Sequence, residues 1–171
     1  MWSELLGSTL SSKDGPKDTA KCLSCAECVM IYISAHWCGP CRAMTPKLAD
    51  AYKKQTGNSE VVFLSLDNTN EAFEEYFKTM PWYAVQYDDE SCDRHAIINS
   101  LSTLCGTPIK SIPCLLVFDK DCCIVSCNGC DDFDEYFKTT VNPSQPAADA
   151  AATSDTAADE SPEVYRPLFS P

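Results

Sequence analysis

Val29-Met30-Ile31-Tyr32-Ile33-Ser34 runs through Ala35-His36 into Trp37-Cys38-Gly39-Pro40-Cys41-Arg42. The first six residues, largely apolar and without alternation, read as a strand of the buried type. Cys38 to Gln55 carries a helical pattern, with Pro46 as a kink and Gly57 as the stop. Two cysteines separated by two residues therefore fall at a strand-to-helix junction. The reactive form of cysteine is the thiolate, and a helix N-terminus favours negative charge through its unpaired N–H groups and dipole. Cys38 takes that capping position. Cys41, one turn on, is close enough to attack a mixed disulfide formed on Cys38. Pro40 suits the first turn, where a missing N–H is no loss. Paired cysteines also hold zinc, but such sites usually need a second pair, and Trp37 and Pro40 have no ligand role. The motif reads as a redox dithiol.

Strand and helix signals continue to alternate on the C-terminal side. Val61–Leu66 is a second apolar strand ending at Asp67, and Asn68 then caps a helix with Glu71 at the capping-box position and Pro81 beyond its end. Ser91 is a cap for a helix running to Leu104 and closed by Gly106. Cys114–Phe118 and Cys122–Cys127 read as a hairpin around Asp119-Lys120-Asp121, and Asp131 opens a last helix to about Thr140. This order predicts an α/β fold, a mixed sheet of about five strands with helices on both faces. The segments Phe73–Thr79 and Phe133–Thr139 are similar, each with aromatics at i, i+3 and i+4, but their flanks diverge. They read as one packing solution used twice, with no internal repeat.

Composition divides the chain of 171 residues into a domain over 1–141 and a tail over 142–171. The tail is rich in Ala and Pro, acidic and free of cysteine, a composition that cannot bury enough apolar surface to order itself, so disorder is expected. The net charge of -12 and the lack of any long Lys/Arg cluster argue against nucleic acid and anionic membrane as partners. No run approaches the ~18 apolar residues of a membrane span. Met1–Gly7 has neither the basic start nor the apolar stretch of a signal peptide. Twelve cysteines without a secretory signal then point to thiols of a cytoplasmic protein.

Several segments resemble the thioredoxin superfamily, and within it the tryparedoxin and nucleoredoxin branch. They are Leu6-Gly7 with Leu10–Gly15, Ile31–Pro46 with its Trp37–Arg42 motif and Thr45-Pro46, and Glu60–Asp67 followed by Glu71–Phe77 and Lys78-Thr79-Met80-Pro81-Trp82. The resemblance implies a thioredoxin-like fold and a thiol–disulfide oxidoreductase. In it Cys38 attacks a disulfide of a partner protein, such as a peroxidase or reductase, and Cys41 resolves the mixed disulfide. It further implies a monomer with no tightly bound cofactor, reduced by a small dithiol such as trypanothione, or by glutathione. Two alternatives stay open: a thioredoxin reduced by a flavin reductase, and a cysteine-rich metal-binding or redox-sensing module. Gly39-Pro40 in the motif and Leu66-Asp67-Asn68 after the second strand depart from the branch's usual two prolines and Trp-Asp-Glu.

By the same resemblance Pro113, in Ser111-Ile112-Pro113-Cys114, is the cis-proline that keeps the backbone of Ile112 open to a substrate strand. Trp37 is expected as an apolar contact surface with one donor beside Cys38. Arg42 is either an electrostatic support of the thiolate or a solvated helix charge. The family's buried proton acceptor, an aspartate six residues before the first cysteine, is Tyr32 here, and a phenol is no base near neutral pH. Asp67 is the remaining candidate for a proton relay, unless it is only a strand-end turn former. His36 and His95 read as surface residues. Cys22, Cys25 and Cys28 lie before the first strand and Cys122-Cys123 at the hairpin, which the topology brings to the same end of the sheet. Cys22, Cys25, Cys28 and Cys122 are therefore candidate ligands for a structural zinc, the alternatives being a regulatory disulfide or plain buried residues. Cys114 would lie near Cys38.

Overall fold

The computed structural model describes residues 1–87 and 93–138. Its elements begin with α1 (Trp2–Leu6), β1 (Thr9–Ser11), β2 (Lys17–Asp18), α2 (Thr19–Leu23), β3 (Cys28–Ser34) and α3 (Gly39–Lys54). They continue with β4 (Ser59–Ser65), α4 (Asn70–Phe77), β5 (Tyr83–Val85), α5 (Arg94–Leu104), β6 (Cys114–Asp119), β7 (Ile124–Ser126) and α6 (Phe133–Tyr136). The strands form one sheet in the order β2-β1-β5-β4-β3-β6-β7. β3 runs parallel to β4 and β4 to β5, while the remaining pairs are antiparallel, so the sheet is mixed.

β3 is buried at all seven positions because helices cover both faces of the sheet. On one face Met30, Tyr32, Val61, Phe63, Leu115 and Val117 pack with Leu48 of α3 and with Phe73 and Tyr76 of α4. On the other, Val29, Ile31, Ile33, Val62, Leu64 and Leu116 pack with Leu6 of α1 and with Ile97 and Leu101 of α5. This period-two division pins the register, since a slip of one residue would exchange the two cores. The register places Ile33 opposite Cys114.

The principal strands, α3 and α5 lie close to where the sequence predicts them. The sheet, however, has seven strands among the described residues where about five are expected, since β1, β2 and β5 are only two or three residues long and have no periodicity to read, while the hairpin strand expected over Cys122–Cys127 is β7. α4 is capped by Thr69, whose Oγ1 accepts from the Ala72 N–H at 3.2 Å, so Asn68 is not the cap and Glu71 is not at a capping-box position. Asp93 caps α5, while Ser91 lies outside the described residues. The last helix is a single turn, with Phe133, Tyr136 and Phe137 against the same core that takes Phe73, Tyr76 and Phe77. The two similar aromatic segments are thus used alike. Residues 139–171, including the tail, lie outside the described residues.

Candidate active site

β3 delivers the chain to one end of the sheet, and α3 leaves from there. The intervening turn is closed by the Cys38 N–H donating to the Ala35 carbonyl at 3.1 Å. Cys38 is the N-cap of α3, and its Sγ accepts from the Cys41 N–H at 3.3 Å, which is how a sulfur at a helix N-terminus is stabilised as an anion. Cys38 and Cys41 are joined as a disulfide with their Cα atoms 5.2 Å apart. The two sulfurs differ in access. Cys41 is fully buried, whereas Cys38, with exposed Gly39 and Pro40 beside it, lines a groove of about 540 Å³.

The opposite wall of that groove is the segment before β6. The Ile112–Pro113 peptide bond is cis, and Cys38 Sγ lies 3.7 Å from the Ile112 carbonyl oxygen. Lys110, Ser111 and Ile112 line the groove there, with Ile98 of α5 at its side. Trp37 forms the rim at 59% exposure, tethered by its indole N–H to the Leu66 carbonyl at 3.2 Å. The exposed indole thus presents apolar area beside Cys38, with its one donor already engaged. Arg42 is exposed, and its backbone N–H donates to the Cys38 carbonyl at 3.1 Å.

Asp67 is buried at 2% exposure at the end of β4. Its Oδ1 accepts from the His36 N–H at 2.7 Å and its Oδ2 from the Ser65 hydroxyl at 2.8 Å. Its own carbonyl takes the Tyr87 hydroxyl at 3.0 Å and the Arg94 guanidinium at 3.2 Å, and that guanidinium stacks on the Tyr87 ring at 4.0 Å. The His36 bond ties the carboxylate to the turn that carries Trp37 and Cys38.

Tyr32 lies under the first turns of α3. Its hydroxyl donates to the Cys41 carbonyl at 3.2 Å and meets Thr45 Oγ1 at 3.0 Å. Thr45 meets the Tyr76 hydroxyl at 2.5 Å, and Tyr76 reaches Ser34 Oγ at 3.1 Å. Burial pushes the Tyr32 phenol well above its ordinary value, only partly offset by the Ser34 and Thr45 hydroxyls, so it is a neutral donor and no base. The sequence reading missed Thr45, Tyr76 and Ser34. Spacing places Thr45 one helical turn from Cys41 and Ser34 on the strand face of Tyr32, but it does not bring either to Tyr76. Nothing in the sequence foreshadowed Arg94.

The hairpin turn does reach the start of β3, where Cys28 pairs with Asp119. The four candidate zinc ligands are nonetheless not assembled: among the described residues no three His, Cys, Asp or Glu side chains could hold a metal ion. Cys28 is buried in the α3-side core, and burial, then the Asp119 charge, pushes its thiol up to about 12 despite a Ser59 hydrogen bond. Cys22 packs on the opposite face of the sheet, Cys25 is exposed, and Cys122 sits in the turn with φ 62. His95 is exposed and His36 half-buried beside the Tyr76 ring. No helix among the described residues is long and apolar enough to cross a membrane.

A thioredoxin-like sequence profile matches residues 26–124. Nucleoredoxin of Danio rerio is 43% identical over 96 residues, which cover 54% of this chain and 21% of that protein. The chain thus spans about a fifth of the length of the nucleoredoxins it matches. Native tryparedoxin I from Crithidia fasciculata superposes with a TM-score of 0.64 at 31% identity, covering 78% of this chain and 90% of that one. A tryparedoxin II complexed with glutathionylspermidine superposes at 0.61 and 30% identity, over 72% of this chain and 83% of that one.

Proposed function

The chain belongs to the thioredoxin-like family of thiol–disulfide oxidoreductases, near its tryparedoxin and nucleoredoxin members, and from that premise we propose that it reduces disulfides of partner proteins through Cys38 and Cys41. The observation that carries this reading is the unequal access of the two sulfurs, Cys38 at the groove and Cys41 buried behind it. The Cys38 thiolate attacks one sulfur of the partner's disulfide and expels the other as a thiolate, which takes up a proton. Cys41 then loses its proton and attacks Cys38 Sγ, releasing the second partner thiol and leaving Cys38–Cys41 oxidised. Two electrons pass to the partner in each cycle.

The residues around the pair have distinct parts in this scheme. Trp37 and the Ser111–Ile112 backbone receive the partner's extended segment, and the helix N-terminus with the Cys41 N–H stabilises the attacking sulfur. Pro113 presents Ile112 to the groove, and Arg42 contributes positive charge from the first turn. A small dithiol or glutathione-type thiol restores the dithiol. This donor class is supported by the glutathionylspermidine held by the related tryparedoxin II. Disulfide-containing peroxidases or reductases are the natural acceptors, and the reducing cytoplasm suits a chain with ten cysteines beyond the pair.

Turnover of a protein disulfide, measured separately with trypanothione, with glutathione, and with thioredoxin reductase plus NADPH, tests the scheme. Turnover with a small thiol, lost in Cys38→Ser and arrested as a covalent partner adduct in Cys41→Ser, is the expected result. Turnover only with the reductase would assign the donor to a flavoprotein, and none with any donor would refute the proposal.

A further inference from the structure

α5 ends at Leu104, and Cys105 is its C-cap, followed by Gly106 in the left-handed region at φ 67. The chain then runs as a loop to β6, and this loop has two sides. Ile109, Lys110 and Ser111 line the groove beside Cys38, and the same three residues line a second cavity of about 160 Å³ together with Cys105, Cys114 and Cys127. The loop is therefore a wall shared by the redox groove and a pocket bearing three thiols. Within that pocket Cys127 Sγ lies 3.9 Å from the Cys105 carbonyl oxygen, so the two cysteines are neighbours on its wall. Cys127 is exposed and Cys105 half-buried. Among the described residues no group of three side chains could hold a metal ion.

We propose that Cys105 and Cys127 are a second dithiol, oxidised by a low-molecular-weight disulfide of the glutathione class to an intramolecular disulfide that clamps the loop behind the redox groove. Cys127, the accessible thiol, attacks one sulfur of the small disulfide. That bond breaks, one small thiol leaves with the Cys127 proton, and the other stays on Cys127. Cys105 then attacks Cys127 Sγ and expels the second small thiol with its own proton. Two protein thiols lose two electrons, and one small disulfide becomes two thiols. Burial first, and then the nearness of Cys127, pushes the Cys105 thiol up to about 12. The reverse exchange, driven by excess small thiol, reopens the clamp. The proposal does not depend on what the Cys38–Cys41 pair reduces.

The test uses the full chain carrying Cys38→Ser and Cys41→Ser, so that the groove pair cannot take part. It is treated with glutathione disulfide and mapped by non-reducing peptide mass spectrometry. The expected product is a Cys105–Cys127 crosslink. Adding Cys127→Ser, a change at an exposed position, should abolish the crosslink, and adding Cys105→Ser should leave glutathione trapped on Cys127. Amide exchange across residues 107 to 113 should slow several-fold in the crosslinked form. Glutathione retained on Cys127 with Cys105 present, a crosslink joining other cysteines, or no modification would overturn the dithiol. Unchanged exchange in the crosslinked form would overturn the clamp.

Discussion

Replacing Asp67 separates two roles that a buried carboxylate beside a redox dithiol can have. The structure gives it two acceptor oxygens in use, one on the His36 N–H at 2.7 Å and one on the Ser65 hydroxyl at 2.8 Å. Asp67→Ala strands both donors in a nearly dry site. One unsatisfied buried donor costs about 1–3 kcal/mol, so the pair should cost ~3 kcal/mol. For a chain of this length each kcal/mol lowers Tm by roughly 2–4 °C, which predicts a fall of about 6–12 °C in thermal unfolding followed by circular dichroism. Asp67→Asn keeps a carbonyl oxygen for His36, and only the Ser65 contact is impaired, so ~1 kcal/mol and about 2–4 °C are expected. If the carboxylate holds the turn, Asn should also preserve most of the disulfide-reduction rate with an unaltered pH profile. If it relays the Cys41 proton, Asn should be as slow as Ala while remaining nearly as stable as the wild type. Equal Tm values for Ala and wild type would refute the positioning argument outright.

Three further outcomes follow from the same structure. Thr45→Val, close in volume but without the hydroxyl, removes the link between the Tyr32 and Tyr76 phenols under α3, and calorimetry should show a loss of about 1–2 kcal/mol that Thr45→Ser largely avoids. Trp37→Ala should leave stability within about 0.5 kcal/mol, because the ring is mostly exposed, yet raise KM for protein disulfides more than for small ones; equal effects on both substrates would show that the ring is no docking surface. Glu60 has its carboxyl raised above the ordinary range by burial, against the opposing Tyr52 and Val61 hydrogen bonds. A carboxyl raised in the folded state contributes stability that is complete below its unfolded value and is lost as pH climbs through its folded value. Denaturant titrations from pH 4 upward (on the order of the ordinary carboxyl pKa) should therefore show a decline attributable to this group, and Glu60→Gln should flatten it.

The position of Cys38 was legible because the elements that set it are local. A strand, a turn and a capped helix within 29–55 decide where Cys38 points, and Cys38 is the N-cap the reading expected. Pro113 was found only through resemblance, since nothing in its immediate neighbours distinguishes the cis bond seen at Ile112–Pro113. The hydroxyl network was not found because its members come from three elements, β3, α3 and α4, whose juxtaposition is a property of the packed core. The ligand set drawn from Cys22, Cys25, Cys28 and Cys122 failed for a similar reason. Spacing along the chain brings sulfurs near one another only if no element intervenes, and here Cys22 and Cys28 end on different faces of the sheet.

That two-faced sheet also governs what happens to the chain under oxidative stress. A disulfide exchanges only with a thiolate that can reach it, and a continuous layer of paired strands lets no side chain through. Cys28 belongs to one core, while Cys22, Cys105 and Cys114 pack against the other. While the fold is intact, Cys28 is kept from the Cys22, Cys105 and Cys114 thiols across the sheet and cannot be shuffled into a pair with them. Unfolding removes that insulation, and the same twelve sulfurs then become a route to irreversible crosslinking. For this chain, loss of fold and loss of redox fidelity should be the same event.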